Sequence, residues 1–310
     1  MGGGRGLLGV TVCGAMLAGL GGLTWRQSGL YANAETLWRG TLAADPGCWP
    51  AHNNFGSSLL QEGAVDEAIG HFQAALQLSP NYAEAHYNLG LAVFQKGRVD
   101  EAIGQFQAAL QILPNFAAAH NNLGTAFLQK GEVDEAIAQY RKALQSKSDF
   151  TEAHNNLGIA LVQKGAVDEG IAQYQKALQT KPGFAEAHNN LGIALVQKGA
   201  VDEGIAQYQR ALQLNPGYAE AHNNLGLALV QKGAVDEAIV QYQSALQIQP
   251  GYAEAHNNLG TALIQKGRAA EAITHFQEAL ELAQAAGQAD LAARLKEELK
   301  RYEASFPLRQ

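Results

Sequence analysis

The chain has 310 residues, 47% of them apolar and 16% charged, with a formal charge of -7. That composition excludes a disordered chain, and the acidic balance excludes a surface devoted to neutralising phosphates, because nucleic-acid binding rests on clustered Lys and Arg. Two cysteines, Cys13 and Cys48, are too few for a disulfide framework or a four-ligand zinc site.

The first element is an uncharged apolar run over residues 7–23, LLGVTVCGAMLAGLGGL, flanked by Arg5 and Arg26. Within a segment 1–24 it reads as a membrane anchor, as a signal-like h-region or as a helix buried in an assembly. The expected location is therefore membrane-anchored or exported, with the cytoplasm left open. The two arginines flank the run almost evenly, so charge gives no orientation. Residues 25–48 follow as a degenerate half repeat, with Ala34, Trp38, Thr41 and Pro46 in the register of what comes next.

From residue 49 to 286 the chain repeats itself. The string AHNN or a variant begins at Ala51, Ala85, Ala119, Ala153, Ala187, Ala221 and Ala255, each 34 residues after the last. A fixed period of this length is the mark of stacked supersecondary units. Take Ala83–Phe116 as positions 1 to 34 of one unit. Ala85, Leu89, Gly90, Ala92 and Val93 make one stripe at helical spacing, and Gly97 stops that first helix. Asp100 and Glu101 open a second helix, whose stripe is Ala102, Ile103, Phe106, Ala109 and Leu110, and Pro114 ends it. Neither helix covers its stripe alone, so neighbouring hairpins must stack. Residues 287–310 close the series with a capping helix, apolar along Leu291, Leu295, Leu299 and Tyr302 and charged elsewhere.

A 34-residue helix-turn-helix with Leu, Gly, Ala, aromatic, Ala and Pro at fixed places resembles the tetratricopeptide repeat (TPR). Glycine stands at position 8 of all seven units, from Gly56 to Gly260, and an aromatic at position 24, from Phe72 to Phe276. The departures are His at position 4, Gly170 and Gly204 at position 20, and Ser148 and Gln284 in place of proline. The resemblance implies an all-α fold: an α-solenoid of seven TPR units in a right-handed superhelix, with an N-terminal apolar helix and a C-terminal cap. Residues 1–55 and the tail near Tyr302 also resemble the C-terminal TPR portion of bacterial multi-spanning O-mannosyltransferase-type proteins.

The resemblance places positions 2, 5, 6, 9, 12 and 13 on the concave side. Position 6 is Asn54, Asn88, Asn122, Asn156, Asn190, Asn224 and Asn258; position 5 includes Asn121, Asn155, Asn189 and Asn223; position 13 includes Gln163 and Gln197. Carboxamides carry donors and acceptors together and suit the backbone of an extended peptide. The ladder is similar to the asparagine ladder in the TPR superhelix of the O-linked N-acetylglucosamine transferase. Glu at position 2 disfavours the carboxylate-clamping role of TPR co-chaperones. Replacing Asn156, Asn190 and Asn224 by Ala is expected to abolish capture and spare melting. The histidines of position 4 are expected to be buried packing residues, not metal ligands, because successive units lie roughly 8 to 10 Å apart and cannot share one ion. No metal site, cofactor or catalytic motif is expected, so the chain reads as a non-enzymatic scaffold for a protein or peptide partner, without nucleic acid. Two rival readings are a structural protein stacking head to tail into a filament, and the regulatory end of a membrane glycosyltransferase.

Overall fold

A computed structural model of the chain describes residues 34–305. The expectations placed on residues 7–23 therefore lie outside the described residues. Among those described there are sixteen helices and no strand. They fall into two compact units that part after Ser146. The first unit holds α1 (Ala34–Ala44) and three hairpins: α2/α3 (Trp49–Gln61, Val65–Leu78), α4/α5 (Ala83–Gln95, Val99–Ile112) and α6/α7 (Ala117–Gln129, Val133–Ser146). The second holds four hairpins and a final helix: α8/α9 (Thr151–Gln163, Val167–Thr180), α10/α11 (Ala185–Gln197, Val201–Leu214), α12/α13 (Ala219–Gln231, Val235–Ile248), α14/α15 (Ala253–Gln265, Ala269–Ala285) and α16 (Ala289–Ser305). Within each unit, consecutive helices pack on one another.

Local chemistry sets these bounds. Helix α4 ends because Gly97 takes a φ of 74°, which lets Gly97 N–H donate to Phe94 O and Arg98 N–H to Val93 O; a side chain there would be strained. Asp100 and Glu101 fill the first turn of α5, where the helix dipole favours negative charge. Proline then stops most second helices two residues past their ends. Where Gln284 replaces it, α15 runs on to Ala285 and is seventeen residues long, against fourteen for α13.

The glycine at position 8 has a packing reason. A Cβ on Gly90 would lie 2.6 Å from the Phe106 ring, and one on Gly226 would lie 2.5 Å from Tyr242. The backbone of each first helix thus rests directly on the aromatic of its own second helix, a contact only glycine permits. At Gly170 and Gly204 a Cβ would meet a methyl of Val162 or Val196 at 2.5 Å, so the departure from alanine leaves room for those valines.

Stacking then closes the core. In the first unit Phe55, Phe72, Leu89, Phe106 and Leu123 form one cluster, and Trp38 and Leu42 of α1 pack against it. In the second unit each aromatic meets the leucine of the next hairpin, as Tyr174 with Leu191 and Tyr208 with Leu225. The last aromatic, Phe276, has no following hairpin; Leu295 of α16 joins its cluster, and Tyr302 stacks on its ring at 5.3 Å and 2°.

The histidines of position 4 do more than pack. His120, His154 and His256 are buried, while His52, His86, His188 and His222 are half-buried. In every unit Nε2 meets the carbonyl oxygen six residues earlier, from Pro46 O at 3.1 Å to Pro250 O at 2.9 Å, and at Ser148 O where proline is missing. Each ring therefore pins the inter-repeat loop to the next first helix. The expectation of buried packing residues is thus corrected in part: four of the seven rings are half-buried, and each also answers a loop carbonyl that needs a donor.

Candidate functional site

The two asparagine rows part company in the structure. Asn53, Asn121, Asn155, Asn189 and Asn223 of position 5 are all at most 6% exposed. One residue on a helix is about 100° of turn, enough to carry position 5 off the open face and into the crevice against the following hairpin. There its Oδ1 accepts from the position 6 amide of the next repeat: Asn88 to Asn53 at 2.9 Å, Asn190 to Asn155 at 3.1 Å, Asn224 to Asn189 at 3.0 Å and Asn258 to Asn223 at 2.9 Å. Where Tyr87 occupies position 5, Asn122 donates to its hydroxyl at 2.9 Å. The buried amides also donate forward, Asn155 to Glu186 at 3.1 Å and Asn189 to Glu220 at 3.4 Å.

The expectation that Asn121, Asn155, Asn189 and Asn223 line the groove is thereby corrected. Asn155, Asn189 and Asn223, like Asn53, are clamps between hairpins, Asn121 is buried with its amide on Asn122 Oδ1, and the amide nitrogens of Asn88, Asn122, Asn190, Asn224 and Asn258 are used in bonds of this kind. A buried carbonyl that loses its donor costs roughly 1 to 3 kcal/mol, so alanine at Asn190 or Asn224 is now expected to lower the melting temperature, not to spare it. Exposed Lys–Asp pairs repeat the same inter-repeat span, Lys96 to Asp66 at 2.9 Å and Lys198 to Asp168 at 2.6 Å; in full solvent such pairs add little.

What remains on the open face is narrower than the sequence suggested. Asn54 is exposed, and Asn88, Asn122, Asn156, Asn190, Asn224 and Asn258 are partly exposed. Among the described residues, the Oδ1 atoms of Asn88, Asn190, Asn224 and Asn258 receive no protein donor. Gln163 and Gln197 are exposed, as are Ile193 and Leu227 at position 9, 37% and 46% accessible. In the second unit Glu152, Glu186, Glu220 and Glu254 stand exposed at position 2. No Lys or Arg occupies positions 2, 5, 6, 9, 12 or 13 of any repeat, so the face is acidic. Beside it, partial burial and then Glu220 and Glu186 push the Tyr218 phenol up to about 12, and Tyr82, half-buried and donating to Glu84 at 2.8 Å, also rises to about 12. Both remain protonated donors at neutral pH.

Family profiles described as TPR repeat match residues 56–97, 92–131 and 124–165, and those described as tetratricopeptide repeat match 155–219, 189–253 and 229–299. Together they span most of the chain. The chain belongs to the tetratricopeptide repeat family. Solved TPR structures share the fold at low identity. A chain of the APC/C hetero-tetramer Cut9-Hcn1 superposes with a TM-score of 0.67 at 22% identity, over 83% of this chain and 51% of that one. A tetratricopeptide repeat protein from Parabacteroides merdae gives 0.66 at 15% identity, over 80% and 98%. Pseudomonas aeruginosa pilF gives 0.59 at 22% identity, over 70% and 97%. The chain thus spans about half of the Cut9-Hcn1 chain it resembles. No curated protein matches it in sequence. As a TPR protein it has the scaffold architecture through which such repeats bind protein or peptide partners.

One set of TPR side chains escaped the sequence reading. In five repeats the position 4 histidine turns Nδ1 to the Gln of position 23, from Gln105 to Gln241. In the first and seventh repeats position 23 is itself histidine, and the pairs are His52 with His71 at 2.9 Å and His256 with His275 at 3.0 Å. The only trace in the sequence was His71 and His275 breaking a glutamine register.

Proposed function

We propose that this TPR chain is a non-enzymatic scaffold that binds an extended polypeptide along the open face of its first helices, with a preference for basic side chains. The observation that carries the reading is the chemistry of that face in the second unit. Four exposed glutamates alternate with partly exposed asparagine carbonyls, aliphatic side chains and glutamines, with no cation among them. Asparagine Oδ1 and glutamine side chains offer acceptors to peptide N–H groups, Ile193 and Leu227 offer apolar contact, and the glutamates attract Lys or Arg. A few such contacts, less the cost of ordering the peptide, correspond to about micromolar affinity.

Fluorescence anisotropy tests this with a labelled, flexible Lys- and Arg-containing peptide and a partner peptide carrying Glu at each basic position. The basic peptide binds and the acidic one does not. Glu186→Gln with Glu220→Gln keeps the acceptors for Asn155 and Asn189, so melting holds while affinity falls about tenfold at low salt. Equal binding of both peptides, or no loss in the double variant, rejects the reading.

Among the described residues no helix is long and apolar enough to cross a membrane. The anchoring reading rests on residues 7–23, outside the described structure; the filament reading rests on near-identical units with open ends, and the glycosyltransferase-end reading on residues 1–55 and the tail near Tyr302.

A further inference from the structure

We propose that His256, His275 and Glu278 form a binding site for one divalent transition-metal ion of the zinc type at the seventh hairpin. His256 lies on α14 and the other two on α15, one turn apart on the same face. His256 Nδ1 stands 3.0 Å from His275 Nδ1 and 3.0 Å from Glu278 Oε2, and His275 Nδ1 stands 3.3 Å from the same carboxylate oxygen. Three N/O ligands held about 2.0 to 2.1 Å from a tetrahedral zinc lie about 3.3 Å from one another. The triangle is therefore already near the size of one face of that tetrahedron.

The hydrogen bonds explain why a cation suits this place. His256 Nε2 lies 2.9 Å from Pro250 O, so in the neutral ring Nε2–H donates there and Nδ1 carries a lone pair. That lone pair faces a carboxylate oxygen, another acceptor, at 3.0 Å. His275 Nδ1–H has one proton to give and two acceptors within reach. With the His275 proton moved to Nε2, a metal ion at the centre satisfies all three lone pairs together, and the bond from His256 Nε2–H to Pro250 O is the outer contact that orients a ligating imidazole. Imidazole with carboxylate selects zinc and its neighbours over calcium or magnesium. An open cleft of about 500 Å³, lined by Leu246, Pro250, His256, Glu278 and Leu282, reaches the triangle from solvent. It gives an ion a way in and leaves a fourth position for water or for a side chain brought by a partner.

The chain carries its own controls. His52 and His71 repeat the pair in the first hairpin, but position 26 there is Ala74, not glutamate, and Arg39 sets a positive charge near His71 that would repel a cation. Internal repeats show that Gln at position 23 folds, and the first repeat shows that Ala at position 26 folds. His275→Gln and Glu278→Ala therefore copy residues the chain already uses at those places. Isothermal titration of chelator-treated full-length protein with Zn²⁺, alongside Co²⁺ absorption, reads the site. Wild type takes up one Zn²⁺ that requires His275, with tetrahedral-type Co²⁺ bands. Losing an outer contact costs a metal site about 10- to 100-fold, so His275→Gln and Glu278→Ala each weaken binding by about 100-fold or more, while His71→Gln leaves it unchanged. Absence of binding by wild type, undiminished binding by both seventh-repeat variants, or loss on His71→Gln overturns the assignment. Circular dichroism confirms that each variant folds, and either seventh-repeat variant suffices.

Discussion

The first and seventh hairpins are built from one pattern and end up chemically opposite. Both pair two histidines through Nδ1, at 2.9 and 3.0 Å, and both pin a proline carbonyl with Nε2. Each second histidine has its partner histidine and a glutamate nearby, but His71 has Arg39 as its third charged neighbour, whereas His275 has Glu278. The amide clamps diverge as well. Asn53 Oδ1 receives Asn88, but Asn257 Oδ1 is buried without a partner; the helix that follows, α16, carries no asparagine. A repeat that is locally regular thus changes meaning at its ends, where one neighbour is replaced by something else. Hairpins with a neighbour pair the Oδ1 of position 5, as Asn155 with Asn190; the last one leaves it buried and unpaired.

The largest test of this contrast concerns the aromatic that closes the stack. Phe276→Ala removes a fully buried ring and the platform on which Tyr302 of α16 rests, and is expected to cost about 3 to 5 kcal/mol in urea unfolding. Hydrogen exchange should show α16 losing protection first. If α16 keeps its protection, the cap is held by Leu295 alone and the stacking contact matters little.

Next in size is the clamp comparison. Asn190→Ala strands the buried Asn155 Oδ1 and is expected to lower stability by roughly 1 to 3 kcal/mol. Asn257→Ala deletes an acceptor that is already unpaired and is expected to be neutral or slightly stabilising by the same measurement. Equal losses at the two positions would show that the amides matter for packing volume and not for hydrogen bonding.

The smallest effect is electrostatic and belongs to the first hairpin. Burial, then the charge of His52, and less strongly that of Arg39, lower the His71 pKa below 6.5, with Glu67 acting the other way. The unfolded chain then binds more protons than the folded one in acid, so the contribution is present above pH 6.5 and is lost as pH falls through the folded value. Thermal melting between pH 7.5 and about pH 5 is expected to show a steeper loss in wild type than in His71→Gln; parallel curves would remove His71 from the acid response.

Much of the fold was legible because it is written in local steric rules. The 34-residue period, the turn glycine at Gly97 and the stop at Pro114 all concern residues within one hairpin, and each residue type has a narrow conformational reason to be there; the recurrence of Gly90 and Phe106 was visible too, but that one rests on the other came from the structure. The acidic row at Glu152, Glu186, Glu220 and Glu254 was legible for the same reason, since charge at a repeated helical position needs no partner to be seen. The binding face was only half legible. Asn155 and Asn156 are chemically identical neighbours, and nothing along the chain says which one meets the next hairpin; that is decided by how the hairpins lie on each other, which turns one amide into the crevice and leaves the other at its rim.

The same division holds for the cluster at the seventh hairpin. Sequence alone determined that α-hairpins of one length recur, that their apolar stripes must be covered by neighbours and that no catalytic motif is repeated among them, because these follow from periodicity and side-chain chemistry. Only the tertiary structure brought His256 to His275 and Glu278, some twenty residues further on. Convergence of three lone pairs on one point depends on the angle at which two helices pack, and that angle is set by the glycine-on-ring contact, not by the identity of the residues that happen to converge.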